Sequence, residues 1–389
     1  MSEPTIEFGT WSTLLGLGSL HGLIVAGLLL KAKRNTSANR FLAALLVGTV
    51  LMITPYTIGY AGFYDVYPWL TFAPFYWQLA FGPLLYFYVR RLGGDASPPR
   101  WRWHFLPAAL QGAYYGVAFS LPLPTKWAWN AAGHEPYVAP LLNAAMLISL
   151  SAYWWRAFGR YRAYQAWLEA NSARREELHL GWLRGFLWAV AAVVALGAGF
   201  QIVDGLVADL NYFDYFPFYL ALSLLVYYLG IEGWRHAGIA LPTMSTAAHS
   251  APGGETAPTT DLSPTPERDW RALGEGWSAR VAEAGWWREP DLNLADLARR
   301  LGTNTQYLSR ALNDGLGLSF SQFVNRLRVE EAKRRLSEAP RGGDGADITT
   351  IALEVGFGSK ASFNRAFRAL VGATPSEYRA DSHGAQTGE

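Results

Sequence analysis

Two stretches in the last quarter of the chain carry residue types able to do chemistry. In "NTQYLSRALND", Leu308 and Leu312 share one helical face and leave Thr305, Gln306, Ser309 and Arg310 on the other. In "SKASFNRAF", Phe363 and Phe367 take the corresponding inner places and leave Lys360, Ala361, Asn364 and Arg365. The two outer faces agree position for position. Gln and Asn amides pair with an adenine edge, Arg and Lys with guanine, and an Ala methyl touches that of thymine. The chemistry these faces offer is therefore base reading on double-stranded DNA. Arg310 and Arg365 have a second use, on phosphates or internal carboxylates, which carries no sequence information.

Each face needs elements to hold it. Before the first, Leu294, Leu297, Ala298 and Leu301 form an apolar helical stripe that breaks at Gly302, and Thr303 or Asn304 is placed to cap the next helix. Before the second, Ile348, Ile351, Ala352 and Val355 form the stripe, Gly356 breaks it, and Ser359 is the cap. One helix-turn-helix outline is common in many folds; two in tandem are more telling. They are joined by "SFSQFVNRLRVEEAKRRLSEA", a basic helical stretch of roughly 30 Å, near the ~34 Å between successive major grooves. Its cations, Arg326, Arg328, Lys333, Arg334 and Arg335, are spread around the helix, and some must be solvated or paired with Glu330 and Glu331. Phe357, Phe363, Phe367 and Tyr378 are expected in the core.

From "WWREPDLNLADLA" through "YLSRALND", "FVNRLRVEEAKRRL" and "IALEVGFGSKASFNRAF" to "GATPSEYR", the chain resembles the AraC/XylS-type DNA-binding domain. The closing pattern is carried by Gly356, Phe357, Ser359, Phe363, Arg365, Phe367, Gly372, Thr374, Pro375, Tyr378 and Arg379. The resemblance implies two helix-turn-helix units that read consecutive major grooves in transcription control. It leaves the first 240 residues uncovered, although regulators attached to a membrane look like a variant of the same family. The connection "SEAPRGGDGAD" is longer than the family's usual turn and is expected to bulge into solvent.

The uncovered part has another character. The whole chain is 51% hydrophobic and 16% charged, and most of the charge falls after residue 260 or in short loops. Seven uncharged stretches, Trp11–Leu30, Phe41–Phe63, Trp69–Val89, Trp103–Leu123, Tyr137–Trp155, Gly185–Val203 and Tyr215–Ile231, are apolar all round and predict seven membrane helices. Trp69, Trp101, Trp103, Trp127, Trp154, Trp155 and Trp234 lie near span ends, where an interfacial belt belongs. Alternate loops hold Lys31, Lys33, Arg34 and Arg40, then Arg90, Arg91, Arg100 and Arg102, then Arg156, Arg160, Arg162, Arg174, Arg175 and Arg184. The other loops hold Lys126 as their one cation, with Asp65, Glu135, Asp209 and Asp214. Positive loops stay inside, so the N-terminus is expected outside and the C-terminus in the cytoplasm of a bacterial inner membrane. Glu3 and Glu7 before the first span argue against a cleaved signal peptide.

Polar residues inside spans are costly unless they face a cavity or another helix, which makes His21, Gln78, Gln111, Asn143 and Gln201 candidate ligand contacts. A helix-to-helix hydrogen bond is the plainer role for each. Pro55, Pro83 and Pro217 suit kinks or gates, and the Gly18, Gly22, Ala26 stripe suits another span or a second protomer.

The expected architecture is all-α. A seven-span domain covers 1–240, a Pro/Thr/Ser-rich linker of roughly 25–30 Å covers 241–266, and an AraC-type domain covers 267–389. The expected partners are DNA, the bilayer, a small-molecule or envelope signal, and a second copy in a homodimer. The net charge of +2 lends no bulk support to DNA binding, and with no cysteine there is no thiolate nucleophile or Cys-type zinc site. No H-E-x-x-H motif and no charged pair within the spans point to an enzyme, cofactor or metal. A transporter or enzyme with a regulatory tail, and a nonspecific DNA tether governed by salt, are the alternatives.

Overall fold

The computed structural model describes residues 5–173, 180–239, 241–242, 244, 269–338 and 347–385. Among them the regular structure is helical, with a single isolated antiparallel bridge between Ser172 and Asn293. The all-α expectation holds. The chain divides into two compact units, one of Met1–Arg162 with Gly181–Thr243, the other of Ala163–Leu180 with Met244–Glu389. Most of the linker expected at 241–266 and most of the long connection before Ile348 lie outside the described residues.

The first unit contains α1 (Thr10–Lys31), α2 (Thr36–Gly59), α3 (Phe81–Leu92), α4 (Leu106–Phe119), α5 (Leu123–Trp129), most of α6 (Ala139–Asn171), α7 (Gly181–Leu206) and α8 (Phe216–His236). Five helical stretches are long and apolar enough to cross a membrane: α1, α2, the stretch Leu123–Asn171, α7 and α8. The expected count of seven is therefore corrected to five long helices and two short ones. In place of Trp69–Val89 the chain has a 3-10 turn, an irregular stretch around Pro74 with Phe72 at φ 65°, and then α3 of 12 residues. In place of Trp103–Leu123 it has a 3-10 turn and α4 of 14 residues, with Pro107 in its first turn. At 1.5 Å per residue these rise about 18 and 21 Å, short of a ~30 Å core. Conversely, the expected span at Tyr137–Trp155 belongs to a longer helix, because its Arg-bearing continuation stays helical to Asn171 and a π-helical segment, Asn130–Val138, joins it to α5.

α1 packs on α2 and α8 through small residues. A Cβ on Gly18 would lie 2.7 Å from Ser223 Cβ, and one on Gly22 would lie 2.6 Å from Val226 Cγ1 and 2.8 Å from Val50 Cγ2. The small-residue stripe is thus used within the chain. Large apolar side chains on the outer surface stay exposed, among them Leu20, Leu110, Leu141, Ile148, Trp155 and Leu206. Lys126, the one cation of the loops expected outside, is buried, its Nζ donating to Trp69 O at 2.9 Å.

The second unit holds α9 (Trp270–Ala284), α10 (Leu294–Leu301), α11 (Thr305–Arg310), α12 (Phe320–Glu338), α13 (Ile348–Glu354), α14 (Lys360–Val371) and α15 (Pro375–Ala385). Side-chain caps set the starts. Asp269 accepts from Ala272 N, Asn293 from Asp296 N, Asn304 from Tyr307 N and Ser359 from Ser362 N. Thr374 and Glu377 close a reciprocal box at α15, with Thr374 N donating to Glu377 Oε2 at 2.7 Å. The apolar stripes of α10 and α13 and the aromatics Phe357, Phe363 and Phe367 form one core, with Tyr378 packed at its edge.

Because Gly22 is wedged between two helices while Gly27 has nothing within 4 Å of its Cβ position, the two glycines differ in tolerance. Gly22→Leu is expected to cost about 1–3 kcal/mol by overpacking and to lower the thermal midpoint of the full chain in detergent. Gly27→Leu is expected to leave that midpoint nearly unchanged.

Candidate nucleic-acid interface and helical-bundle cavity

The second unit presents two helix pairs, α10 with α11 and α13 with α14. The first turns at Gly302, φ 72°. The second turns at Gly356, φ 94°, where a Cβ would sit 2.4 Å from Arg288 O, so the position is closed to any side chain. Leu308 and Leu312, then Phe363 and Phe367, are buried, which turns the other faces outward. Gln306, Arg310, Lys360, Ala361 and Arg365 are exposed; Thr305, Ser309 and Asn364 are half-buried. All eight expected reading residues therefore lie on the open sides of α11 and α14.

They are not equally available. Arg310 Nε donates to Asp314 Oδ2 at 3.2 Å, and its guanidinium stacks over the Trp270 ring at 4.5 Å. Ser309 Oγ accepts from Asn313 Nδ2 at 3.1 Å. The internal-carboxylate role weighed for Arg310 is the one seen here. Helix α9 creates this brace, since Gly274 and Gly315 bring it against the end of α11 at backbone distance.

α12 joins the pairs over 19 residues, about 28 Å. One of its residues carries a role that sequence reasoning missed. Arg328 is fully buried, and donates through Nε to Trp287 O at 2.8 Å and through Nη2 to Glu289 O at 2.7 Å. Its guanidinium also lies 5.4 Å from the centre of the Phe357 ring. The signal was present: Phe320, Val324, Arg328, Ala332 and Leu336 form an i+4 stripe with one charge in it, and all five are buried. Glu331 takes the pairing expected of it. It accepts from Arg334 and from Arg335 at 2.9 Å, with Arg288 at 3.7 Å, while Arg335 also reaches Glu354 on α13. The Arg334 guanidinium, helped by Arg335 and opposed by burial, holds the Glu331 carboxyl down to about 2. Similarly, Arg300 lowers the Glu289 carboxyl through a two-pronged hydrogen bond at 2.6 and 2.7 Å. Lys333 pairs with Glu330, so much of the expected basic surface of α12 is neutralised internally.

In the first unit a cavity of about 380 Å³ lies between the ends of α2, α7 and α8 and the start of α6. Gln78, Asn143 and Gln201 line it, so three of the five polar residues singled out in the spans converge on one place. His21 and Gln111 do not. His21 stacks on Tyr227 with ring centres 4.3 Å apart, and Gln111 Oε1 accepts from Leu79 N at 3.2 Å. Sequence reasoning also missed the aromatic walls, which only the fold assembles: Tyr56 stacks on Tyr219 at 3.5 Å and Tyr76 on Tyr115 at 4.8 Å.

Residues 297–381 match the family described as "Helix-turn-helix domain". The chain is similar to uncharacterised HTH-type transcriptional regulators of Staphylococcus aureus, 38% identical over 91 residues, or 23% of this chain and 12% of theirs. It is also similar to the uncharacterised HTH-type transcriptional regulator YtdP of Bacillus subtilis, 35% identical over 91 residues, or 23% of this chain and 11% of that one. The matched stretch thus spans only about an eighth of these relatives. No solved structure matches the chain.

Two outcomes follow from the supports of the two pairs. Arg328→Met strands two carbonyls and is expected to cost about 3–5 kcal/mol. Hydrogen exchange of the full chain should then quicken by about two to four orders of magnitude at the amides of α10 and α14 together; acceleration in one helix alone would contradict a shared support. Glu331 has a depressed folded-state pKa, so its contribution, up to about 3 kcal/mol, is complete above its ordinary 4.5 and fades as pH falls toward 2. The stability gap between the chain and Glu331→Gln, read by denaturant unfolding, is expected to shrink across that window.

Proposed function

We propose that the chain is a membrane-embedded, sequence-specific DNA-binding transcription regulator. The observation that carries the proposal is the tandem of capped helix pairs, with matched polar faces on α11 and α14 and a joining helix, α12, about 28 Å long. A connector of that length is of the order of the ~34 Å between successive major grooves. The similarity of residues 297–381 to a helix-turn-helix domain supports the same reading.

The membrane half of the proposal rests on five long apolar helices and on a first unit whose outer surface exposes Leu, Ile, Val and Trp side chains. Among the described residues of the second unit, the exposed large apolar side chains are Tyr307, Leu353 and Leu370. One unit is thus dressed for lipid and the other for water. Replacing seven spans by five leaves the number odd, and the cations at 31–40 and 156–184 favour an N-terminus outside and the DNA-reading unit in the cytoplasm. Arg90, Arg91, Arg100 and Arg102, by contrast, fall between α2 and the stretch Leu123–Asn171 and lend that orientation no support. The spans act as sensor of an envelope or small-molecule signal, and pairing of two copies gives a longer DNA site. Since the stripe on α1 is used within the chain, pairing would employ another surface.

Genome-wide occupancy of the tagged full-length chain in its native cells tests this, with Gln306→Ala plus Arg365→Ala as control. Discrete peaks lost in the control are expected; diffuse or absent occupancy would sink the proposal in favour of a nonspecific tether. Within those sites, Arg365→Ala is expected to cost about 1–3 kcal/mol and to relax preference at one base position in gel-shift titrations. Arg310→Ala should change base preference little, because Asp314 and Trp270 already occupy that guanidinium.

A further inference from the structure

The cavity of the first unit has a composition that selects among ligands. Its walls are rich in aromatic side chains, with Tyr56, Tyr76, Tyr115 and Tyr219 lining it together with Phe200 and Phe218. Its charged lining residue is an anion, Glu135, and among the described lining residues there is neither Lys nor Arg. A second carboxylate stands directly behind the wall, where Tyr215 donates its hydroxyl to Asp204 Oδ2 at 2.9 Å. Gln78 adds an unmet demand: it is 5% exposed, and its Oε1 has no hydrogen-bond partner. A buried acceptor left without a donor costs free energy, so a ligand that brings an N–H is favoured at that atom.

From these features we infer that the cavity is a binding site for a small organic ammonium ion, a protonated primary or secondary amine carrying an apolar or aromatic body. Tyrosine faces attract a cation through their quadrupoles, and more strongly where water is displaced. Glu135 supplies the counter-charge, and Gln78 Oε1 accepts one of the N–H groups. The volume of about 380 Å³ lies at the small end of ordinary ligand sites. Neutral ligands of the same shape would gain the wall contacts without the charge, and an anion would be repelled by Glu135.

The placement gives the ligand a direction of entry. The lining residues cluster at the ends of the helices joined by the acidic loops, near Tyr56, Glu135, Gln201 and Tyr215. Under the membrane topology proposed above, on which this inference rests, that is the outer side. An amine in the envelope would then reach the site without crossing the bilayer. Bound there, it would bridge α2, α6, α7 and α8.

Benzylamine, a cation at neutral pH, is a suitable probe, with benzyl alcohol and benzoate as ring-matched neutral and anionic controls. Thermal unfolding of the full-length chain in lipid nanodiscs should show saturable stabilisation by benzylamine and none comparable by either control. Glu135→Gln should weaken the apparent affinity by roughly tenfold with little change in the ligand-free midpoint, because Glu135 is exposed. Gln78→Leu should weaken benzylamine binding as well. No stabilisation by benzylamine, equal stabilisation by benzyl alcohol, or unaltered affinity in Glu135→Gln would each overturn the inference. The measurement contains no DNA, so the two proposals fail separately. Amine binding without discrete genomic occupancy would remove the regulator reading alone, and discrete occupancy without amine binding would remove the cavity assignment alone.

Discussion

The second unit depends on one buried guanidinium. Arg328 enters the core on the inner stripe of α12, and such a charge is tolerated only where its desolvation is offset by well-made hydrogen bonds. Trp287 O and Glu289 O provide them, both from the short segment that leads into α10. The same segment supplies Arg288 O, against which the turn at Gly356 is pressed. The chain before the first helix pair is therefore tied both to the connecting helix and to the turn of the second pair. Neither pair has a position independent of the other. Replacing this arrangement by apolar packing would satisfy the core but leave two carbonyls without donors, which is why a cation is useful where a leucine would otherwise fit.

Around that centre the surface charges act as a second layer. Glu331 gathers Arg334 and Arg335 with Arg288 nearby, and Arg335 continues to Glu354 on α13. Networks of this kind are worth more than isolated exposed pairs, since the central carboxylate, Glu331, is largely withdrawn from water and held by several cations at once. The arrangement also explains how a helix with so many Arg and Lys residues contributes little free positive charge. Under the proposed function, DNA affinity then has to come from the edges of the unit, where Lys360 and Arg368 stand exposed on α14, and less from the face of α12.

Legibility differed between the two units for a physical reason. In the second unit the 3.6-residue period, the Gly breaks and the Asn and Ser caps are local, and each was readable before any packing was known; Asn304 and Ser359 cap where expected. What was hidden depended on contacts distant in sequence, such as α9 reaching Arg310 through Trp270, and Arg328 reaching Trp287 across 41 residues. In the first unit, uniform hydropathy marks what is apolar but not where a helix stops. Pro74 and the left-handed Phe72 ended one apparent span, and nothing in the composition of Arg156 to Asn171 forced the helix there to end. Polar residues in spans had the converse ambiguity. Gln78 and Gln111 look alike in sequence, yet one lines a cavity and the other completes the backbone at Leu79.

The two helix pairs are built alike but supported unalike, and this bears on how the proposed reading would divide between them. α11 is short, six residues, runs into a π-helical turn, and is clasped by α9 through Trp270. Its arginine is drawn sideways onto that clasp. α14 has 12 residues, is closed at its end by Gly372 in the left-handed conformation, and keeps Lys360, Ala361 and Arg365 exposed along one side. A base contact requires a side chain whose free state costs little to leave. Freeing Arg310 from Asp314 and the Trp270 face would offset part of what a guanine contact returned, whereas Gln306 is exposed on the same helix and is the better reader there. Sequence preference at the first pair should therefore rest on the Gln306 amide more than on its arginine, even though the faces match position for position.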